Sequence, residues 1–273
     1  MAELNQDLAA IEATNSDGVV IRNEEQVMDL TKGIRTVGRL FFITTFSLAS
    51  SAMNAKELDP TQLIEQMSKE IAGLQSFILQ GHTSVDARLE AGQIIEHSSQ
   101  IMMRVVRPGS IHITNKSLET TKEIYFEDHL ITIYDSSTGF YGQKQFPSEV
   151  ESPLIYAIDN LGIDVPLIDF LDQDLTRRLV EDASEVQYLG ESLMRDRTYH
   201  HIGIRMREVD IQLWIEAKGP PLPGKLVISA KWEGGAPRTV SFMDWRLNPK
   251  ISAQDLKFEV PEGAVKIEIQ SDQ

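Results

Sequence analysis

The chain has 273 residues, of which 41% are hydrophobic and 25% are charged, as is usual for a globular protein. Its formal net charge is −15 and its pI is about 4.8, which disfavours binding to nucleic acid or to anionic lipid head groups because like charges repel. The absence of cysteine excludes thiolate catalysis, cysteine-based metal sites, disulfides and a lipid-modified N-terminal cysteine. It also fits an oxidising compartment.

The most apolar run is RLFFITTFSLASSAMNA, residues 39–55, and several Ser and Thr residues interrupt it. It is too short for a helix that crosses a bilayer, which needs ~20 apolar residues. Lys32, Arg35 and Arg39 precede the apolar part of this run, which begins at Leu40, without an intervening acidic residue, and small residues end the run. This order of a basic, an apolar and a small-residue region predicts a secretory signal peptide rather than a buried core helix, and therefore export to the periplasm.

The position of the signal peptide implies a start codon inside the chain. Translation from Met28 gives a signal peptide of ordinary length and layout over residues 28–55. Residues 1–27 are then an acidic leader upstream of the true start. Residues 56–273 form a single mature domain.

A helix is predicted at the start of this mature domain. Asp59 can cap the first turn, and Pro60 suits the first helical position because its missing N–H has no helical partner there. The apolar residues that follow recur at helical spacing and give one stripe that can pack on a sheet, namely Leu63, Met67, Ile71, Leu74 and Ile78.

After this helix the apolar pattern has a period of two, which predicts β-strands. Residues 122–146 alternate and break at 135–139, a natural hairpin loop, and residues 209–217 carry their aliphatic side chains on one face. A second hairpin loop is predicted at 233–237. A helical patch of two short helices over 152–174 separates the strand-forming halves. The lack of βαβ alternation excludes a parallel nucleotide-binding sheet and predicts an antiparallel α+β domain.

Motifs with chemical meaning are weak in this sequence. GPPLPGK, residues 219–225, has the spacing of a phosphate-binding loop, but its prolines lack the N–H groups that bind phosphate, so a stiff connection between strands is favoured. His200 and His201 are adjacent in a strand and point to opposite faces, so they cannot share a metal ion. The carboxylates of residues 169–174 lack the glycine turn and the distal glutamate of a calcium loop. No cofactor and no metal site is predicted.

Trp214, Trp232 and Trp245 fall one to each of three successive strands. Trp214 lies opposite the aliphatic face of its own strand, so both faces of that strand carry apolar side chains. This pattern is typical of a sheet that is covered on both sides. It also suits a sheet that lines a ligand cavity.

Several segments, in matching order over about residues 58–270, resemble the DUF2092 family of predicted periplasmic proteins. That family is similar to the lipoprotein carrier and sensor proteins of the LolA and RseB type. The resemblance implies an incomplete, strongly curved antiparallel β-barrel with helices packed on its concave side. The segments that carry it are RPGSIHI (107–113), HLITIYDSSTGFY (129–141), LGIDVPLIDFL (161–171), VDIQLWIEAKGPPLPGKLVI (209–228) and FMDWRLNPKISAQDLKFEVPEGAVKIEI (242–269).

The resemblance also implies a cavity between sheet and helices that suits an acyl chain, where burial of each CH₂ contributes ~0.8 kcal/mol. We therefore expect a non-catalytic periplasmic protein that binds a lipid or a lipid-modified protein, without nucleic acid and without a permanent membrane anchor. Two alternatives stay open: an envelope stress sensor that holds a peptide, and an enzyme that uses His200 or His201. The residues expected to line the cavity are Leu63, Met67, Ile71, Leu74, Ile133, Met206, Trp214, Trp232 and Trp245.

The predicted signal peptide can be tested on the exported protein. Cleavage after Ala52 or Ala55 leaves Met53 or Lys56 as the first residue, which N-terminal sequencing of the periplasmic protein should detect. A mature chain that begins near Met1 would contradict the prediction.

Overall fold

The structure is a computed structural model that describes residues 58–127, 129–146, 156–158, 161, 165–172, 174–231 and 237–269. The predicted leader and signal peptide, residues 1–55, lie outside the described residues, as does Trp232. Among the helices that are described, none is both long and apolar enough to cross a membrane.

Twelve strands form one sheet in the order β12-β6-β5-β4-β3-β2-β1-β11-β10-β9-β8-β7. All neighbours are antiparallel except β12, which pairs in parallel with β6. The end strands β7 and β12 have one neighbour each within the described part of the chain, so the barrel is incomplete. The strands are β1 (Ser76–Arg88), β2 (Ile94–Val106), β3 (Ser110–Lys116), β4 (Thr121–Glu127), β5 (Leu130–Asp135), β6 (Phe140–Gln145), β7 (Glu185–Met194), β8 (Arg197–Arg205), β9 (Val209–Glu216), β10 (Pro223–Ala230), β11 (Arg238–Leu247) and β12 (Val265–Ile267).

Helices cover one face of this sheet, which is the concave face. They include α1 (Pro60–Gly73), a 3-10 turn (Ile168–Leu171) and α2 (Leu175–Val180). Their apolar side chains share one core with the alternate residues of the central strands. The open, curved antiparallel sheet with helices on its concave side, which the resemblance implied, is confirmed.

Helix α1 begins where the sequence predicts. The Asp59 carboxylate accepts a hydrogen bond from Thr61 N at 2.9 Å, and Pro60 occupies the first turn. The predicted stripe is too long by one member, however. The backbone becomes extended at Leu74, and Ile78 belongs to β1, on the face of the sheet that points away from the helix.

A glycine lets the helical cover approach the sheet closely. Leu167, which precedes the 3-10 turn, lies directly over Gly81 of β1, and a Cβ at position 81 would be 2.7 Å from the Leu167 Cδ1. Gly81 lies between Met243 and Ile101 of the neighbouring strands. The central strand therefore has a dip in its surface into which Leu167 fits.

The predicted loops are found where the structure describes them. The hairpin loop between β5 and β6 contains Gly139 in the left-handed region, with φ +73°. The proline-rich segment connects β9 to β10, as predicted, and Gly219 adopts φ +103° there. In the predicted helical patch, residues 156–158 and 161 are helical and the 3-10 turn follows, whereas α2 lies beyond the predicted end at 174.

The β7–β8 hairpin bends over the convex face. A bulge between Tyr188 and Gly190, where Gly190 has φ +104°, allows the bend. A second, smaller core forms beneath the hairpin from Tyr199, Trp214 and Val227, with Met194 and Val240 at its margin. The prediction that β9 carries apolar side chains on both faces is confirmed by this arrangement.

The C-terminal segment covers another part of the convex face. After β11 the chain crosses β3 to β6, where the Phe258 ring contacts Tyr125, Tyr134 and Tyr141 at centroid distances of 5.3 to 5.8 Å. It then adds β12 to the edge of the sheet. Both faces of the sheet are therefore partly covered by the chain itself.

The bent hairpin predicts a steric requirement at Gly224. The Tyr199 ring lies where a Cβ at position 224 would be, so Gly224→Ala should lower the free energy of unfolding by about 1–3 kcal/mol through overpacking. Chemical denaturation measures this change. In a Tyr199→Ala background the same substitution should cost less than about 0.5 kcal/mol, because the overlapping ring is gone. An equal cost in both backgrounds would contradict the bent hairpin.

Candidate functional site

The interior between α1 and the concave face collects most of the predicted lining residues. Leu63, Met67 and Ile71 of α1 and Leu74 just after it are all buried in the main core. Met67 is fully buried. In the described part of the chain these side chains pack against others of the same core, so an apolar ligand can enter this interior only if the helical cover moves.

The remaining predicted residues occupy different places. Ile133 and Met206 are partly buried and pack at the margin of the same core, as does Trp245. Trp214 lies on the convex face, in the small core under the β7–β8 hairpin. Trp232 lies outside the described residues. The structure therefore brings Trp245, but not Trp214, to the interior under α1.

Trp245 lies at the rim, the end of the sheet where β1 and β10 begin and β9 and β11 end. Its indole Nε1 donates a hydrogen bond to the Pro223 carbonyl at 2.8 Å. Its ring is 5.4 Å from the Phe77 ring and meets the Phe170 ring edge-on at 6.4 Å. Trp245 thus joins the proline-rich connection, the sheet and the helical cover at one point.

Two clefts open at the rim, one on each side of the proline-rich connection. The first, of about 450 Å³, lies between the last turns of α1 and Pro221. The second, of about 360 Å³, lies beside Trp245 and is lined by Leu222, Met243 and Leu247 among others. Apolar side chains therefore reach solvent next to the buried interior. The position of these clefts could not be predicted from the sequence, because residues from distant parts of the chain line them.

Helix α1 contacts the sheet through apolar side chains. Its polar side chains form no hydrogen bond or ion pair with a described residue of the sheet; Asp59 caps only its own first turn. The nearest polar anchor is at the rim, where Arg107 Nε donates to the Leu74 carbonyl at 3.1 Å. Arg107 N also donates to the Gln75 carbonyl at 2.9 Å. Among the described residues, the helix is thus held by apolar packing along its length and by these two hydrogen bonds beyond its C-terminal end.

The two adjacent histidines point to opposite faces, as predicted. His200 Nδ1 lies 3.1 Å from the Tyr188 hydroxyl, whereas the His201 ring stacks on Trp214 at 4.1 Å and its Nε2 lies 3.1 Å from Gln212 Oε1. Burial lowers the pKa of His201. The two rings cannot act on one substrate atom, because the sheet separates them.

A polar cluster under the C-terminal segment escaped sequence analysis. His112 Nδ1 donates to the Asp255 carbonyl at 2.9 Å, and its Nε2 lies 2.9 Å from Glu123 Oε2. The Tyr125 hydroxyl also donates to Glu123, at 2.6 Å, and its ring stacks on His112 at 4.1 Å. The hydrogen bond from His112 holds the pKa of Glu123 below its ordinary value, and burial raises the pKa of Tyr125. This cluster fastens the C-terminal segment to the sheet.

A metal site is not evident in the described ranges, where no group of three or more His, Asp or Glu side chains is arranged to hold an ion. The main core that fills the interior is built from apolar side chains. The rim clefts combine apolar side chains with charged ones, such as Lys69 and Glu70 in the first and Arg197 and Glu216 in the second.

Comparison with known proteins identifies the family. A family model described as "Predicted periplasmic protein (DUF2092)" matches residues 61–270. No curated protein matches this sequence significantly.

Solved structures show low sequence identity to this chain. The lipoprotein LppX of Mycobacterium tuberculosis is 12% identical, with a TM-score of 0.44 over 70% of this chain and 96% of that chain. The MucA/MucB complex of Pseudomonas aeruginosa gives 13% identity and a TM-score of 0.43, over 74% of this chain and 62% of that chain. A LolA superfamily protein of Nitrosomonas europaea gives 10% identity and a TM-score of 0.32, over 74% and 98%.

The polar cluster predicts how stability depends on pH. Because the pKa of Glu123 is lower in the folded protein, its contribution is present above the ordinary carboxyl pKa of about 4.3 and is lost as pH falls through the folded value. Glu123→Gln should lower the free energy of unfolding at pH 7 by about 1.5–3 kcal/mol. It should also make the free energy of unfolding fall less steeply as the pH is lowered.

Denaturant unfolding between pH 7 and pH 3 measures both effects. The control is Glu119→Gln in the exposed β3–β4 turn, which should stay within about 0.5 kcal/mol of the parent protein. An unchanged acid slope in Glu123→Gln would show that the carboxylate does not hold the cluster together.

Proposed function

Since the chain belongs to the DUF2092 family of predicted periplasmic proteins, we propose that it binds the apolar chain of a lipid or of a lipid-modified partner between α1 and the concave face of the sheet. Export through the predicted signal peptide at 28–55 is part of this proposal. The ligand enters at the rim beside Trp245. The role is non-catalytic carriage, in which the protein shields hydrocarbon from water.

The observation that supports the proposal is that α1 packs on the sheet through apolar side chains. Leu63, Ile64, Met67 and Ile71 bury their side chains against the sheet, and no described residue of the sheet holds the polar side chains of the helix. An acyl chain offers the concave face the same kind of contact as these side chains do. Outward movement of the helix therefore exchanges one apolar surface for another, without leaving a buried polar group unpaired.

The core contains residues that can adapt to such an exchange. Met67 of α1, Met103 of β2 and Met243 of β11 all belong to the main core. Methionine is unbranched and has three rotatable bonds, so it fits irregular apolar shapes at little cost. The interior is in this respect suited to a flexible chain rather than to one rigid ligand.

The rim clefts supply the route of entry. Leu247 is partly buried and lines the cleft beside Trp245, so a ligand that passes Trp245 meets apolar side chains between solvent and the core. The charged side chains of Arg197, Glu216 and Asp244 line the same cleft. The hydrogen bonds from Arg107 to the Leu74 and Gln75 carbonyls keep the rim end of the helix fixed. The rest of α1 is free to lift from the sheet without breaking a hydrogen bond to it in the described region.

The proposal predicts the effect of a charge at the rim. Leu247→Lys places an ammonium group in the path of the apolar ligand, and it should weaken binding of palmitate at least tenfold, about 1.4 kcal/mol. Displacement of an environment-sensitive apolar dye by palmitate measures the affinity. The matched control is Leu118→Lys in the fully exposed β3–β4 turn, which makes the same chemical change and should bind like the parent protein.

Organic extraction of the protein purified from its own periplasm provides a second readout. Acyl lipid in the extract supports the proposal. A lipid-free extract together with no dye or palmitate binding would overturn it, and a polypeptide that co-purifies in that case would point to the peptide-binding alternative.

A further inference from the structure

The convex face carries a groove of about 410 Å³ that the proposed function does not use. Its floor is formed by β11, β1, β2 and β3, and it runs between the tip of the β7–β8 hairpin and the C-terminal segment. It lies on the opposite side of the sheet from α1. A ligand bound there therefore lies outside the interior.

Strand register places its polar side chains in rows across the floor. His82, Gln100 and Lys116 are neighbours on β1, β2 and β3, and Gln80, Met102 and Thr114 form the next row. Each row thus contains side chains that can donate hydrogen bonds, Met102 being the member that cannot. The row that contains Lys116 also ends in a cation.

Cations dominate the walls of the groove although the chain is acidic overall. Arg104, Lys116 and Arg195 line it, with Asp244 as the carboxylate among the lining residues. Asp244 is already paired with Arg195, at 3.3 Å. This cluster of cations could not be predicted from the sequence, because its members come from β2, β3 and the β7–β8 turn, which are far apart along the chain.

The carboxylates near Arg104 are also engaged by other groups. Glu123 accepts hydrogen bonds from His112 and Tyr125. Asp255 accepts hydrogen bonds from the hydroxyl and the backbone N–H of Ser252. These hydrogen bonds orient the two carboxylates away from the groove's own lining, which contains three cations and one carboxylate in a chain whose net charge is −15.

Arg195 is held over the floor by an unusual turn. Arg195 and Asp196 both adopt left-handed conformations, with φ +49° and +62°, at turn positions where Asn and Gly are the common residues. The Arg195 guanidinium lies 4.8 Å from the centre of the Phe242 ring, a cation–π distance. The bent hairpin thus fixes a cation on the side of the groove opposite Lys116 and Arg104.

We propose that this groove binds the phosphate group of a small phosphate ester. Guanidinium and ammonium groups on two sides, with amide and hydroxyl donors on the floor between them, match the several acceptor oxygens of a phosphate. The ester is either a soluble molecule or the head group of an anionic phospholipid, since both present the same oxygens.

The test uses the full mature protein and two probes. Isothermal titration with sn-glycerol 3-phosphate measures binding of the soluble ester, and sedimentation with phosphatidylglycerol vesicles, compared with phosphatidylcholine vesicles, measures binding of the head group. Lys116→Gln and Arg195→Gln should each weaken binding at least tenfold. Raising the salt concentration should weaken it further, because salt screens exposed charges. Thermal unfolding confirms that the variants are folded, and Lys116→Gln serves if Arg195→Gln disturbs the hairpin.

The control is Arg207→Gln in the exposed β8–β9 turn, where Arg207 pairs with Glu208. It removes one positive charge away from the groove and should leave binding unchanged. Binding of glycerol 3-phosphate, or selective binding of phosphatidylglycerol vesicles, with this pattern of variants supports the proposal and identifies the source of the phosphate. No binding of either probe, or equal weakening by Arg207→Gln, would overturn it.

Discussion

The contact between α1 and the concave face is the interaction on which the rest of this structure depends. It is apolar on both sides: Leu63, Met67 and Ile71 of the helix belong to the same core as the fully buried Phe77 and Leu79 of β1. Such a contact is strong because it removes apolar area from water, but it has little direction. A helix held in this way stays on the sheet unless a competing apolar group is present. Such a group can take the place of the helix.

The two faces of the sheet are used differently. The concave face holds the main core and its rim opens beside Trp245. On the convex face, the β7–β8 hairpin and the C-terminal segment each cover part of the strands through their own contacts, Tyr199 on Gly224 in one case and His112 on Asp255 in the other. The uncovered strip of strands between them forms a groove. The β7–β8 hairpin and the C-terminal segment therefore both stabilise the sheet and form the sides of a second surface.

Much of the local structure follows from the sequence because it depends on neighbouring residues. Asp59 and Pro60 predict the start of α1, and Gly139 predicts the β5–β6 hairpin. The alternation in β9 predicts its two apolar faces, and the resemblance to DUF2092 supplied the overall architecture. These features need no knowledge of distant parts of the chain.

The features that escaped the sequence depend on contacts between distant residues. Ile78 continues the helical spacing of α1 by coincidence, because β1 has already begun at Ser76. The small core around Trp214 exists only because a bulge at Gly190 bends the hairpin. The cations of the convex groove come from separate elements, so a linear scan for a basic stripe finds none.

Brominated palmitate tests the central claim most directly, because bromine quenches only tryptophans that it contacts. Of the three tryptophans in the chain, Trp245 lies at the rim of the interior, whereas Trp214 lies on the opposite face. With Trp232 replaced by Phe throughout, a protein that keeps only Trp245 should be quenched at saturating ligand, and one that keeps only Trp214 should not. Quenching of Trp214 instead, or of neither, would show that no acyl chain enters beneath α1.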